Sequence, residues 1–281
     1  MTSTRGAVPT FVKIQNRFRY FRQHIRDLWQ SYMLVATYMP IVHVEVREDR
    51  LSPLAVNPLR GARAKSLGKI GTFGAISHLL DKVNPRRVIS DSLAISEDFY
   101  TDLVLLVYKD YPQKLRGAIS DGSPDQEARV LELVLRSTTR AEILAHLTEE
   151  RVRGLFYGNP VDFFKKDRAK LEFGTYFKDS CTGELAQFAE LVARRNIIVH
   201  NGGRIDRKYL REVAISPFAL DQVAPLPPEY LQSSLALVEG LAAAAATKVL
   251  ENVYKTSPQG KVQTAFLAFE RARRDASRAA V

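Results

Sequence analysis

Glu184-Leu185-Ala186-Gln187-Phe188-Ala189-Glu190-Leu191-Val192-Ala193-Arg194-Arg195-Asn196-Ile197-Ile198-Val199-His200-Asn201-Gly202-Gly203 is the stretch on which the reading of the fold turns. On a helix of about 3.6 residues per turn, Leu185, Phe188, Val192 and Val199 form an apolar stripe, widened by Leu191 and Ile198. Gly202-Gly203 then ends the helix, because glycine past a last turn accepts the left-handed conformation that closes it. Arg195 falls in the middle of the stripe, where the spacing calls for a core residue. An arginine there is costly unless a carboxylate or an external anion meets it. Asn196 and His200, four residues apart, stack one turn above the other on the flank of the stripe.

Outward from this helix the chain reads as helical almost throughout. Phe11, Ile14, Phe18, Phe21, Ile25, Leu28, Tyr32, Val35 and Met39 recur at alternating steps of three and four. That heptad seam predicts one long N-terminal helix over 11–39, lying against another helix. Pro40 is expected to stop it, and Ile41–Val46 alternates like a short strand. Six prolines and glycines between Leu51 and Gly74 predict a linker. Helices are then expected at 76–83, within 92–115, from Pro124 to Arg136, after a Thr139 cap, at 161–171, at 184–200, at 208–213, from Pro227-Pro228 to Tyr254, and at 261–278. The fold class is therefore all-α, an antiparallel helical bundle with a long N-terminal helix and peripheral helices. It divides into a basic N-terminal region (1–70), a helical body (71–260) and a basic C-terminal helix (261–281).

Charge follows that division. Residues 1–70 hold twelve Lys/Arg against four Asp/Glu, and residues 261–281 hold five against two. The net charge of +10 thus sits at the two ends of the chain, around a nearly neutral body. An anionic partner fits this placement, nucleic acid first and a membrane surface second. Arg19, Arg22 and Arg26 form a basic stripe along the first helix, suited either to tracking phosphates or to solvating an outer face. Cys181 is the only cysteine, so no internal disulfide or cysteine-based zinc site is expected. No apolar run reaches the roughly 18 residues that span a bilayer; Leu235–Val249 is interrupted by Glu239 and Lys248 and reads as a close-packed helix. Met1–Thr10 lacks the pattern of a signal peptide. These features predict a cytoplasmic protein, away from membranes. His24, His43, His78 and His146 have no metal-ligand spacing, and neither metal nor cofactor is expected.

Arg195, Asn196, three further residues and His200, followed by Asn201-Gly202-Gly203, together resemble the HEPN superfamily, whose signature is R-x4-6-H. The match is to its longer branch, R-N-x-x-V-H-N-G-G, and covers roughly 90–255. Two residues after the histidine, where several toxin-type HEPN families carry tyrosine, stands Gly202. The resemblance implies a metal-independent ribonuclease that pairs its motifs across a homodimer cleft, in toxin, anti-phage defence or RNA-processing contexts. A protein partner such as an antitoxin would belong to the first of these.

The residue types agree with that chemistry. Cleavage of RNA by its own 2′-hydroxyl needs a base for that proton, an acid for the leaving 5′-oxygen and a cation for the phosphorane. His200 suits proton transfer near neutral pH. The planar fork of Arg195 fits two phosphate oxygens. Asn196 is placed to hydrogen-bond the histidine or a phosphate oxygen, and Arg194 and Arg204 are further candidates for substrate binding. One histidine cannot easily act on both sides of one phosphorus, whereas a two-fold dimer supplies a second. Three alternatives remain beside catalysis. In one, a non-catalytic HEPN-like module binds RNA or protein through its dimer. In another, Arg195 is internal, paired with Glu190 or Asp98. In the third, the heptad seam of 11–39 docks a protein partner and the bundle is its scaffold.

Overall fold

The structure, a computed structural model, describes residues 8–57, 63–115, 139, 142–143, 145–146, 161–213 and 216–279. It is all-α apart from a two-residue hairpin. The principal elements are α1 (Thr10–Arg47), β1 (Ala55–Val56), β2 (Lys65–Ser66), α2 (Gly68–His78), α3 (Asn84–Asp110), α4 (Val161–Lys165), α5 (Thr182–Asn201), α6 (Arg207–Glu212), α7 (Pro228–Asn252) and α8 (Gly260–Ala279). The helix expected from Pro124 to Arg136 lies outside the described residues. Thr139 does cap: its hydroxyl accepts the Glu142 N–H at 3.2 Å, and the Glu142 carboxylate accepts the Thr139 N–H at 3.3 Å. This reciprocal pairing satisfies two donors that a helix start leaves open.

The heptad seam of α1 is spent inside the molecule. Ile14, Phe18, Phe21, Ile25, Leu28 and Tyr32 are buried in one apolar cluster with α3, α5, α7 and α8. The cluster draws on all three regions into which the sequence divides by charge. Phe18 and Phe21 pack on Phe99 of α3, at 5.8 and 4.9 Å between ring centroids. Phe163, Phe164, Phe173 and Phe177 extend this aromatic core under Tyr100. α1 and α3 run antiparallel, since Phe18 meets Phe99 while Tyr32 accepts a hydrogen bond from the Asn84 side chain at 3.0 Å.

α7 is the central helix. Leu241 to Ala246 are fully buried, and small side chains let neighbouring axes approach to about 8 Å. By length and apolarity it is the one described helix that meets the requirements for crossing a bilayer, yet most of its apolar stretch is covered by protein. Gly240 is where α8 comes closest: a Cβ there would lie 2.2 Å from the Phe269 ring. We expect Gly240→Ala to cost about 1–3 kcal/mol by displacing that ring. A urea titration measures the loss, and a midpoint equal to wild type would mean that α8 yields freely.

Four expectations are corrected. The helix expected at 161–171 ends at Lys165; Asp167 and Lys170 take positive φ, and the Asp167 carboxylate accepts the Leu171 and Glu172 N–H groups in a turn. α1 does not stop at Pro40 but continues to Arg47. Proline removes one N–H and crowds the preceding turn, but Pro40 is exposed, so its ring stands in solvent and the helix absorbs the loss. Ile41–Val46 is accordingly helix rather than strand. The expected linker between Leu51 and Gly74 contains the hairpin, which pairs Ala55 with Ser66 and Val56 with Lys65, and the first turns of α2. α2 reaches α3 through a widened helical turn at Leu79–Val83. Pro85 follows that turn, lacks the N–H that a regular ladder needs there, and so favours the wider register.

Candidate functional site

α5 runs antiparallel to α3. Near the middle of α3, Glu97 meets Arg195; at its start, Arg86 donates to the Gly202 carbonyl at 2.5 Å. Gly202 takes φ 58° and Gly203 φ 83°, and both N–H groups return to the Ile197 carbonyl. Gly203 is constrained twice, by its positive φ and by the Arg86 guanidinium 3.2 Å from where a Cβ would stand. Asn201 closes the turn by donating its side-chain amide to the Arg204 carbonyl at 2.9 Å.

The buried arginine is Arg194, not Arg195. α5 faces two cores in succession. Leu185, Phe188 and Leu191 enter the main one. Ala193 and Ile197 enter a second, with Ile205, Tyr209 and Ala224 from the excursion that follows the helix. The buried line therefore shifts around the axis, carrying Arg194 inward and leaving Val199 in solvent. Arg194 is 3% exposed. It donates to Glu190 at 2.8 Å and to the Pro225 carbonyl at 2.9 Å. Its guanidinium also stands over the rings of Tyr230 (4.7 Å) and Phe218 (4.9 Å). The hydroxyls of Tyr209 and Tyr230 donate to the two Glu190 oxygens at 2.6 and 2.7 Å. Burial opposes the charge of Arg194, but Tyr230 and Glu190 outweigh it and its pKa is raised. Burial, reinforced by Glu190, pushes up both tyrosines. Arg194, expected to bind substrate, thus clamps the 203–226 excursion and the start of α7 to α5.

Arg195 looks outward, toward α3. Its guanidinium donates to Glu97 at 3.0 Å, with the two side chains 31% and 44% exposed. Its Nε is buried without a hydrogen-bond partner. Burial raises the pKa of Glu97; Arg195 opposes this and the neighbouring Asp98 adds to it. A half-exposed pair of this kind is worth about 0–1 kcal/mol, so a phosphate can displace the carboxylate. His200 is exposed on the last turn and Asn196 half-buried one turn below it. Five helical residues set Arg195 and His200 about 140° apart around the axis. One copy therefore presents guanidinium and imidazole on different sides of one helix end.

The other expected arginines scatter. Arg22 is turned toward α7 in a short ion pair with Glu239, mostly covered, and is not part of a phosphate-tracking surface. Arg19 (over the Tyr20 ring) and Arg26 are exposed on α1. α1 packs on the Phe99 side of α3, about 200° around that helix from Glu97. Arg204 is exposed and donates to the Asp221 carbonyl at 3.2 Å. Glu97 and Arg86 were not singled out from the sequence. Both lie on one face of α3, eleven residues or about three turns apart, a spacing visible in the sequence once α5 is laid against it. Among the described residues, no three His, Cys, Asp or Glu side chains converge as metal ligands. Compared with models of known protein families, with curated proteins and with solved structures, the chain matches none.

Proposed function

We propose that the protein is a metal-independent endoribonuclease whose active site is completed between two copies of the chain. The observation that carries this reading is Arg195: a half-exposed guanidinium held by one displaceable carboxylate, with its Nε unengaged, five residues before an exposed histidine. The resemblance to the HEPN superfamily supports the same assignment.

In the reaction, one His200 takes the proton from the ribose 2′-hydroxyl, and the 2′-oxygen attacks phosphorus. The P–O5′ bond breaks, and the partner copy's histidine protonates the leaving 5′-oxygen. The products are a 2′,3′-cyclic phosphate and a 5′-hydroxyl. Arg195 neutralises the phosphorane, and Asn196, one turn from His200, hydrogen-bonds the imidazole or a phosphate oxygen. The 140° separation within one chain gives each copy's groups different sides of the phosphate to serve. The reading is tested at the product ends: fragments must accept phosphate from polynucleotide kinase without prior phosphatase treatment. Fragments that require phosphatase first would contradict it.

The ion pair itself favours a second reading, in which Arg195–Glu97 is structural and the module only binds. Glu97→Gln separates the two. Removing the competing carboxylate is expected to tighten RNA binding about five-fold at low salt, the equivalent of about 1 kcal/mol for one charge near a phosphate. Unchanged affinity with a lowered melting temperature would favour the structural reading.

A further inference from the structure

Arg86 is a cation that the fold holds beside the candidate site without balancing its charge. Its guanidinium donates to the Gly202 carbonyl, two residues past His200, at 2.5 Å. Among the described residues no carboxylate pairs with it; Asp91, five residues on, is taken by Arg87 at 3.0 Å. A carbonyl neutralises no charge, so the half-buried guanidinium remains a full cation with further N–H groups to donate. Arg204, exposed just beyond the same turn, adds a second cation there.

The seam between α3 and α5 joins Arg86 to Arg195. Arg86 and Glu97 share one face of α3, eleven residues apart, and Arg195 and Gly202 share one face of α5, seven residues apart. At about 1.5 Å per residue the two guanidiniums lie about 10–16 Å apart along the seam. On those faces the positions between them are uncharged. Ser90 is half-buried and Ala94 exposed, one and two turns after Arg86. Ile198 and Val199 follow Arg195 on α5, and Val199 is 56% exposed. Two guanidiniums with small and apolar side chains between them match a single nucleic-acid strand. Its phosphates take the arginines, and its bases and riboses take the apolar floor. A free anion would engage one arginine and leave the floor unused.

We propose that Arg86 is a second phosphate-binding residue, and that single-stranded RNA lies along the α3–α5 seam with one phosphate on Arg195 and a later one on Arg86. The identity of the strand as RNA, and of Arg195 as its reacting end, rests on the ribonuclease reading. The Gly202 carbonyl orients the Arg86 guanidinium before any ligand arrives, which lowers the ordering cost of binding. The seam also sets a minimum substrate length: a dinucleotide reaches Arg195 alone, whereas a hexanucleotide reaches both arginines.

The test is fluorescence anisotropy with labelled dinucleotide and hexanucleotide RNA on the full chain, over a range of salt, comparing wild type with Arg86→Gln and Arg86→Ala. Glutamine keeps an N–H donor for the Gly202 carbonyl and removes the charge. Wild type is expected to bind the hexanucleotide more tightly than the dinucleotide. Arg86→Gln is expected to weaken hexanucleotide binding about five-fold at low salt, the effect of one charge near a phosphate. Its slope of log affinity against log salt is expected to fall by about 0.7, one phosphate contact on a single strand. Equal loss for both lengths, or a wild-type salt slope in Arg86→Gln, overturns the proposal. So does a lower melting temperature for Arg86→Ala with unchanged affinity, which would leave Arg86 a helix cap. Wild type that binds no RNA but binds polyglutamate through Arg86 also overturns it and assigns the seam to an acidic protein. Cleavage is read in parallel. RNA held through Arg86 that wild type never cuts would refute the ribonuclease reading and leave the strand path standing. RNA that is cut, but bound equally well without Arg86, would refute the path alone.

Discussion

Arg194→Ala is expected to lower stability by about 3–5 kcal/mol, the usual cost of stranding a buried charge by removing its partner. In a helical chain of this size that is a fall of about 10 °C or more in melting temperature. The loss has three parts. The Glu190 carboxylate keeps two tyrosine hydroxyls but loses its cation. The Pro225 carbonyl loses its donor, and the rings of Phe218 and Tyr230 lose the plane stacked against them. Arg194→Lys retains the charge without the fork and is expected to recover only part of the loss. Arg194→Met combined with Glu190→Gln removes both charges and is expected to cost less than Arg194→Met alone. Hydrogen exchange locates the damage: the amides of Ile205, bonded to the Gln222 carbonyl, and Tyr209, bonded to the Asp206 carboxylate, lose protection before α1 or α3. A drop of less than about 1 kcal/mol for Arg194→Ala would mean that the clamp is not a stabilising element.

Substitution one residue later is expected to do the opposite. Arg195→Ala removes a weak, half-exposed pair and leaves the melt within about 1 kcal/mol of wild type. Cleavage is expected to fall by about 10²–10³-fold, the usual effect of deleting one donor to a transition-state anion. His200→Ala is expected to cost about 10²–10⁴-fold, since it removes base and acid together in the symmetric dimer. The contrast between neighbours is diagnostic: Arg194 moves stability, and Arg195 moves rate. Equal stability losses at both positions would place Arg195 in the scaffold.

How far the sequence could be read follows from which interactions are local. Helix existence was legible because three-four periodicity reports a buried face, as in α1 from Ile14 to Tyr32. The end of α5 was legible because glycine alone tolerates the positive φ of Gly202 and Gly203 at little cost. Pro40 misled, because its effect on a helix depends on whether the ring meets solvent or a neighbour. Arg194 and Arg195 were exchanged in role for a non-local reason. A single stripe assumes one neighbour, whereas the second core around Ile205 and Tyr209 rotates the buried face by one residue. The pairing of Glu97 with Arg195, rather than Glu190 or Asp98, depends on how α3 and α5 lie against each other, which neither helix encodes by itself.

The central claim, that Arg195 and His200 form half of a ribonuclease site, is tested most directly by one measurement. Structured and single-stranded RNAs are incubated with excess chelator and either wild type or the Arg195→Ala/His200→Ala variant, and fragments and end groups are resolved by electrophoresis. Wild type is expected to cut and to leave 2′,3′-cyclic phosphate and 5′-hydroxyl ends, while the variant, folded and equally dimeric, leaves the RNA intact. Cleavage by both proteins at the same rate, or by neither on any RNA, would contradict it.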